Sequence, residues 1–266
     1  MSEPLSISFN ERNRVKTIKI CHIVYSFGTG GLEKGIATVI NHGASDIEHT
    51  VLCLTTAGDS QQLLRKPVNI IELNKPGGNS LRFIGRLSNV LRKMKPDVVH
   101  TRNWSGIDGV IAARMAGIRS IVHGEHGWGV EDVDGRKRKR VLLRKLIFPW
   151  VREITCVSRQ MVTWLNKDIG VPIDRITQIY NGIDCRQFKP ASPSEMNRIR
   201  QELGIDQREF VIGIIGRLDP VKNHVTLFKA FSQIKRKIKE AVLLVVGEGA
   251  YREILQGAAG QGIRFL

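Results

Sequence analysis

The sequence predicts an α/β protein with two doubly wound, Rossmann-like units, the second of them incomplete. Short apolar runs alternate with amphipathic segments from residue 18 onward. The runs are apolar at nearly every position, which is typical of parallel strands in a sheet that is covered by helices on both faces. A stretch with two prolines at 188–193 interrupts this alternation, which then restarts with a strand. We therefore expect a first domain over residues 1–189 and a second over residues 190–266.

Each element follows from its apolar pattern and from the turn residues beside it. Continuous apolar runs predict buried strands, and apolar residues at spacings of three and four predict helices. In the first unit these signals predict strands at 18–25, 50–55, 68–73, 97–101, 120–124, 154–158 and 176–180, and helices at 32–42, 81–95, 106–116 and 160–168. In the second unit they predict strands at 210–215, at 241–246 and from 263, and helices at 224–238 and 251–256.

Composition places the chain among globular proteins with a strongly basic balance. Hydrophobic residues make up 42% and charged residues 25% of the 266 residues, and no apolar stretch is long enough for a membrane span. Segment 1–16 lacks the apolar core of a signal peptide, so we expect a cytosolic start. Cys21, Cys53 and Cys156 lie in apolar runs and are expected to be buried thiols of a reducing compartment. The net charge of +16 favours nucleic acid, anionic lipid or phosphorylated ligands, and composition does not choose among them.

A glycine-rich segment, Gly28-Thr29-Gly30-Gly31, follows the first predicted strand. Glycines let a backbone approach a phosphate, and the N-terminus of the helix that follows attracts anions. A dinucleotide-binding fingerprint would need glycine at position 33 and an acid at the end of the second strand, but the chain has Glu33 and Thr55 there. The segment is therefore either a phosphate-binding turn of another kind or a purely structural turn.

Polar residues cluster at the end of the predicted strand 120–124, in the segment His123-Gly124-Glu125-His126-Gly127-Trp128. Ligands bind at the carboxyl edge of an open parallel sheet, so this segment is a candidate active-site loop. The His-x-x-His spacing also admits a metal site, but the pair lies on a strand-to-loop segment and no third ligand is evident. A structural role is the remaining alternative.

Two cations follow the first strand of the second unit, in Gly216-Arg217-Leu218-Asp219-Pro220-Val221-Lys222. Pro220 stiffens the loop, and Arg217 can bind a diphosphate through two parallel hydrogen bonds. The alternative is a basic loop that is simply solvated.

Segment 136–152 carries eight Lys and Arg residues and no acid, and its apolar residues at 142, 143, 146, 147 and 150 fall at helical spacing. Such a helix is typical either of a peripheral membrane contact or of a helix that packs on the core with solvated charges. No nucleic-acid-reading module accompanies the charge, so no nucleic-acid partner is expected. The expected membrane-contact residues are Arg136, Lys137, Arg138, Lys139, Arg140 and Trp150.

Six motifs, in their order along the chain, resemble glycosyltransferase family 4, whose members have the GT-B fold. Each motif alone is weakly specific, and the shared order from residue 18 onward makes the resemblance specific. It extends to the sugar transferases linked to exopolysaccharide and exosortase gene clusters. The motifs are Gly30-Gly31-Leu32-Glu33, His126-Gly127, Cys156-Val157-Ser158, Asn181-Gly182-Ile183-Asp184 with Phe188 and Pro190, Gly216-Arg217 with Lys222, and Gly247-Glu248-Gly249.

The resemblance implies retaining transfer of a sugar from a nucleoside-diphosphate sugar to a saccharide or lipid-linked acceptor, without a metal or other cofactor. The donor would lie mainly on the second domain and the acceptor on the first. As the expected catalytic residues, Arg217 and Lys222 would stabilise charge on the leaving phosphate and His126 would face the transferred sugar. The expected donor-binding residues are Gly30, Gly31, Gly216, Arg217, Lys222 and Gly247, and the expected acceptor-side residues are Asn103, Glu125 and Trp128.

The resemblance extends the expected role to the synthesis of exopolysaccharide or other cell-surface material. Segment 1–16, which lacks a signal peptide, and the basic segment 136–152 lead us to expect a cytoplasmic enzyme, peripheral at the inner face of the cytoplasmic membrane. Family members carry two further glutamates later in the second domain, and the 266 residues do not include them. The alternative is therefore a catalytically inactive, truncated fragment that keeps only phosphate or lipid affinity. A dehydrogenase-type nucleotide binder is disfavoured by Glu33 and by the missing ribose-binding acid.

Overall fold

The computed structural model describes residues 17–78, 80–129 and 131–266. Contacts divide the chain into two units between Gly182 and Ile183. The domain boundary between residues 189 and 190 stays a prediction, and the expected cytosolic start at 1–16 lies outside the described residues. Within the described ranges, no helix has both the length and the apolar character needed to cross a bilayer.

The first unit is a seven-stranded sheet with helices on both faces, as predicted. Its strands are β1 Ile18–Val24, β2 Ile47–Cys53, β3 Asn69–Glu72, β4 Val98–Arg102, β5 Ile121–Glu125, β6 Glu153–Cys156 and β7 Ile176–Gln178, and its helices are α1 Gly31–His42, α2 Leu81–Met94, α3 Ile107–Met115, α4 Arg138–Ile147 and α5 Arg159–Trp164. All pairs are parallel, in the order β3-β2-β1-β4-β5-β6-β7. The order reverses between β1 and β4, so the carboxyl ends of these strands flank the crevice where doubly wound sheets bind ligands.

Alternation along the strands gives the sheet two apolar faces. On one face, Ile36, Ala37 and Ile40 of α1 pack with Val24 and Val51. The opposite face carries the larger core, to which α2, α3 and α5 contribute. The buried positions predicted for Cys21, Cys53 and Cys156 are confirmed, and all three thiols are free. The members of the larger core that are fully buried include Ile23, Leu52, Leu54, Leu87, Leu91, Val99, Val110, Ile121, Ile154 and Leu165.

The second unit holds a three-stranded parallel sheet in the chain order expected from the sequence. Its elements are α6 Pro193–Glu202, β8 Phe210–Ile215, α7 His224–Lys237, β9 Ala241–Val246, α8 Arg252–Gly257 and β10 Ile263–Phe265, with strand order β10-β9-β8. The strand pairs are parallel. Helix α7 packs Phe228 and Phe231 on Leu243 and Val245 of β9. Both units therefore have the α/β, Rossmann-like architecture that the sequence predicts.

Helix α6 follows the proline-containing stretch 188–193 and was not among the elements predicted from the sequence. A capping box starts the helix, since Ser192 Oγ accepts from Glu195 N and the Glu195 carboxylate accepts from Ser192 N. Pro193 occupies the first helical position, where its missing N–H costs nothing. No residue of α6 is buried, so its weak apolar pattern gave no helical signal.

Candidate active site

The glycine-rich segment forms the turn between β1 and α1 at the carboxyl edge of the first sheet. It packs tightly on the following turn, because a Cβ on Gly58 would lie 2.8 Å from Gly28 Cα and Ser60 Oγ donates a 2.6 Å hydrogen bond to Gly28 O. Gly30 is the N-cap of α1 and supplies no capping side chain. The Glu33 carboxylate lies over Gly30, in the space that a side chain there would fill. The turn thus presents a helix N-terminus, which favours negative charge.

Arg102 ends β4, the strand next to β1, and its side chain is buried. Its Nη2 lies 3.1 Å from His100 Nδ1 and 3.4 Å from His22 Nδ1. Burial lowers the pKa of Arg102 to about 9, while the charge of Glu33 raises it. Arg102 is therefore a buried cation at neutral pH. Burial, and next the charge of Arg102, hold the pKa of both His22 and His100 well below the ordinary value, so these rings are neutral.

Asn103 and His126 join the ends of β4 and β5. Asn103 has a φ of 53°, its N–H donates to Gly124 O at 2.8 Å, and its Oδ1 accepts from His126 N at 2.7 Å. Burial, and next the charge of Arg102, lower the pKa of His126 to about 4. The half-buried imidazole is therefore neutral at pH 7 and can donate to or accept from a sugar hydroxyl. Asn103 holds the His126 backbone, and its contact with an acceptor stays a prediction.

Glu125 lies behind this loop, fully buried, in an ion pair with Arg144 of α4. Arg144 Nε donates to Glu125 Oε1 at 2.7 Å, and the guanidinium lies 5.2 Å from the Trp104 ring centroid and 5.1 Å from that of Trp164. Burial raises the pKa of Glu125, but the Arg144 charge and the His123 contact outweigh it, so the net pKa is lowered. The sequence assigned Glu125 to the acceptor side. The structure corrects this, because a fully buried, paired carboxylate does not face a dissolved acceptor.

Trp128 and His123 also support the loop from inside. Trp128 is half-buried and packs edge-on against Trp164, with ring centroids 5.8 Å apart. His123 Nδ1 lies 2.7 Å from Thr101 Oγ1 and its Nε2 lies 3.4 Å from Glu125 Oε1, so both ring nitrogens are engaged. A His123–His126 metal pair is therefore disfavoured, and the described residues contain no group of three His, Cys, Asp or Glu placed to hold a metal ion. The expectation of metal-free chemistry stays a prediction.

In the second unit, the loop after β8 brings Gly216, Arg217 and Lys222 to the carboxyl edge of the sheet. The Arg217 side chain is exposed and contacts Asp219 at 3.2 Å, and the Asp219 Oδ1 accepts from Lys222 N at 3.3 Å. The Lys222 side chain lies alongside Gly216. An exposed ion pair of this kind is worth about 0–1 kcal/mol, so Arg217 can leave Asp219 for a phosphate at little cost.

A second glycine turn, after β9, packs directly on this loop. Leu218 N donates to Glu248 O at 2.9 Å and Tyr251 N donates to Leu218 O at 3.2 Å. Gly247 has a φ of 143°, and a Cβ there would collide with the Gly216 carbonyl. Only glycine fits at position 247. The two turns that carry the predicted donor-binding residues of the second unit are thus packed against each other and joined by hydrogen bonds.

Helix α4 carries the basic segment, and the structure divides its residues between two faces. Ile147 and Phe148 are buried, whereas Leu142, Leu146 and Trp150 are exposed. The predicted membrane-contact set needs one correction. Arg140 is half-buried, donates to Glu131 Oε2 at 2.6 Å and lies 4.9 Å from the Trp104 ring centroid. Its guanidinium is therefore engaged in contacts within the first unit and is not available to a membrane surface. The other predicted cations, Arg136, Lys137, Arg138 and Lys139, are exposed.

Each unit therefore gathers a cluster of its own predicted residues. The first unit gathers Gly30, Gly31, Asn103 and His126 at the edge formed by β1, β4 and β5, and the second gathers Gly216, Arg217, Lys222 and Gly247. Sequence reasoning missed Arg102 and Arg144. Arg102 had a usable signal, because it is a cation directly after an apolar central strand. Arg144 had none, since it is one of eight cations in a basic segment.

The fold and the two clusters define the class of protein. Each unit is a Rossmann-like domain with a sheet of parallel strands and glycine-containing turns at the carboxyl edge, and two such domains in one chain are the GT-B fold. Anabaena HepE in complex with UDP-glucose has this fold, with a TM-score of 0.74 and 20% sequence identity over 94% of this chain and 68% of that one.

The chain belongs to Glycosyltransferase Family 4, whose family model matches residues 29–187. The model of Glycosyl transferases group 1 matches residues 195–261. The UDP-Gal:α-D-GlcNAc-diphosphoundecaprenol α-1,3-galactosyltransferase of Escherichia coli is 33% identical over 61% of this chain and 43% of its own length. The GDP-mannose-dependent monoacylated α-(1-6)-phosphatidylinositol monomannoside mannosyltransferase of Corynebacterium glutamicum is 27% identical over 68% and 48%. The matches span less than half the length of these relatives.

Proposed function

We propose that this chain belongs to a retaining glycosyltransferase that moves a sugar from a nucleoside-diphosphate sugar to a lipid-linked acceptor in cell-surface or exopolysaccharide synthesis. Family membership favours an enzyme over an inactive fragment with residual phosphate or lipid affinity. Both relatives described above use, by name, a nucleoside-diphosphate sugar, and both act on lipid acceptors that contain phosphate. These names support a phosphate-bearing acceptor for this protein.

The observation that carries the proposal is the cation pair of the second unit. Arg217 and Lys222 lie on a loop that is fixed by Gly216 and Gly247, at the edge of a parallel sheet where nucleotides bind. Two positive charges on a loop whose conformation is fixed are complementary to the negative charge of the donor diphosphate. They stabilise the charge that builds on the leaving phosphate as the sugar–oxygen bond breaks.

The first unit would hold the acceptor, with the neutral His126 imidazole facing the transferred sugar. A lipid-linked acceptor brings the enzyme to a membrane surface. Exposed apolar residues of α4, flanked by cations, suit contact with anionic lipid at the inner face of the cytoplasmic membrane.

Donor binding tests this proposal. Calorimetric titration with UDP and with GDP should show binding of one of them, and Arg217→Ala with Lys222→Ala should remove it. Arg198→Ala, which removes an exposed cation from α6 of the same unit, is the matched control and should bind like the parent. In a turnover assay, Arg217→Ala should lower kcat/KM roughly a hundredfold to a thousandfold. Undiminished nucleotide binding in the double variant would refute the role of the cation pair, and the anomeric configuration of the product would decide whether transfer retains configuration.

A further inference from the structure

The His126 ring occupies the space that a side chain at position 124 would fill. A Cβ on Gly124 would stand 2.9 Å from His126 Nε2 and 3.2 Å from Thr155 Oγ1. Gly124 lies inside strand β5, where the extended backbone suits any residue, so its missing side chain provides room and not a turn. Two polar side-chain atoms thus converge on one space above Gly124, which we call the notch.

The notch lies on the face of the first sheet that is opposite to the larger core. Ile154 and Cys156, the neighbours of Thr155 along β6, belong to that core, so Thr155 points to the other face. Gly124 is its register partner on β5, and both positions come just before the carboxyl ends of their strands. On this face α1 packs on β1 and β2, whereas α3 and α5 belong to the larger core. The notch therefore lies at the carboxyl edge, where parallel sheets bind ligands.

His126 and Thr155 supply groups that suit the hydroxyl groups of a sugar. Both residues are half-buried, and within the described ranges neither the His126 ring nor the Thr155 hydroxyl is hydrogen-bonded. A neutral imidazole and a hydroxyl can each donate and accept a hydrogen bond. Sugar hydroxyl groups also do both, and a few convergent polar groups commonly orient a ligand in its pocket.

We propose that Thr155 contacts the substrate and that, with His126, it binds hydroxyl groups of a sugar in the notch above Gly124. This inference rests on the proposed function and adds to it a residue that distinguishes one sugar from another. A pocket that hydrogen-bonds a hydroxyl rejects a sugar that lacks or misplaces it, because the polar groups of the pocket are then left without a partner. The sugar belongs either to the donor or to the acceptor, and the experiment has an arm for each.

The donor arm compares UDP-glucose, UDP-galactose and GDP-mannose with free UDP and GDP by calorimetric titration. The gain in affinity of a nucleotide sugar over its free nucleotide measures the contribution of the sugar. Thr155→Val, which replaces the hydroxyl by a methyl group, should reduce this gain roughly three- to tenfold for the sugar that binds best, as expected for the loss of one hydrogen bond between neutral groups. Thr155→Ser keeps the hydroxyl and should retain the gain.

The acceptor arm uses the methyl α-glycosides of the same three sugars, which carry no phosphate. The NMR signals of the His126 ring report their binding in every variant, because the ring borders the notch. Thr155→Val should again weaken the affinity roughly three- to tenfold, and Thr155→Ser should retain it.

Thr177→Val is the matched control. Thr177 is the register partner of Thr155 on β7, and its hydroxyl donates to Glu153. Its replacement should leave both sugar readouts unchanged. Gly124→Ala places a methyl group in the notch and should remove both, while free UDP or GDP binds as in the parent chain. Circular dichroism checks that each variant is folded.

The proposal is overturned if Thr155→Val matches the parent chain in both arms, or loses no more than Thr177→Val. It is also overturned if no sugar contributes to binding in the parent chain, or if folded Gly124→Ala binds sugar equally well. A change in the donor arm assigns the notch to the transferred sugar, and a change in the acceptor arm assigns it to the acceptor. If UDP and GDP fail to bind through Arg217 and Lys222, the proposed donor site is wrong, and the glycosides still decide the role of the notch.

Discussion

Glu125 and Arg144 link the candidate active-site loop to helix α4 through a single buried ion pair. The Arg144 guanidinium also stacks on Trp104 and Trp164, which belong to two further elements of the first unit. Glu125 immediately precedes His126, so this pair fixes the start of the loop. A buried pair adds little stability relative to a well-packed apolar pair, but the loss of one partner leaves a charge without compensation.

At this scale we predict that Arg144→Met lowers the free energy of unfolding of the first unit by about 3–5 kcal/mol, because it removes the charge partner of the buried Glu125 carboxylate and leaves only the His123 contact. Lys145→Met, at the adjacent exposed position, should change it by less than about 0.5 kcal/mol. Denaturant unfolding followed by tryptophan fluorescence measures both, since Trp104, Trp128, Trp150 and Trp164 all lie in the first unit. Restoration of stability in Arg144→Met with Glu125→Gln would confirm the cause. Equal losses in Arg144→Met and Lys145→Met would contradict it.

Among the elements, α4 has one buried face and one exposed face. On the buried face, Arg144 and Ile147 pack into the interior of the first unit. On the exposed face, Leu142 and Leu146 lie beside exposed cations. Trp150, in the turn that follows, extends the exposed apolar surface. The sequence left a core-packing helix and a membrane-contact helix as alternatives, and the structure gives α4 features of both.

For this element we predict that changing Arg136, Lys137, Arg138 and Lys139 to Gln abolishes sedimentation with anionic vesicles. Each cation near such a surface contributes about 1 kcal/mol. Arg140 is left unchanged because its ion pair with Glu131 belongs to the fold. The matched control removes four exposed cations from the second unit, by changing Lys229, Arg236, Lys237 and Lys239 to Gln.

The control variant should sediment with anionic vesicles like the parent chain. Equal losses in both variants would mean that the net charge of +16, and not α4, drives binding. Made in the parent chain, Leu146→Ser with Trp150→Ser should also weaken binding, without altering circular dichroism, because both side chains are exposed. Equal binding of the parent to neutral vesicles would remove the electrostatic argument.

At the scale of the whole molecule, the described part of the first unit carries a layer of neutral histidines around Arg102. Burial, and next the Arg102 charge, hold the pKa of His22, His100 and His126 below the ordinary value of 6.5. The unfolded chain therefore binds more protons than the folded chain as pH falls below 6.5. Stability that is present above this pH is lost progressively toward about pH 4, the pKa of folded His126.

We predict that the free energy of unfolding of the first unit falls steadily from pH 7 to pH 5, with a slope of up to about 1.4 kcal/mol per pH unit for each histidine. His100→Leu should flatten this slope, because it removes one of the groups that take up a proton on unfolding. A level profile over this range in the parent chain would contradict the buried, neutral histidine layer. Denaturant unfolding at a series of pH values, at constant ionic strength, provides the measurement.

Local signals were enough to predict most of the fold and to select part of the candidate site. Apolar runs located the ten strands of the described structure, because buried parallel strands are apolar on both faces. The loop with Arg217 and Lys222 was found because strand-terminal cations and glycines are local features. Helix α6 was missed because its signal is the capping box at Ser192 and Glu195 and not an apolar stripe.

The sequence by itself determined the class of fold, the order of its elements and the motifs that place the chain in its family. Only the tertiary structure decided which cations are buried. Arg102 meets His22 because β1 lies beside β4, although 80 residues separate them along the chain. Arg144 turns inward while Lys145 stays in solvent because α4 packs one face on the core. The free energy of a charge depends on the groups that surround it after folding, and those groups come from distant parts of the sequence.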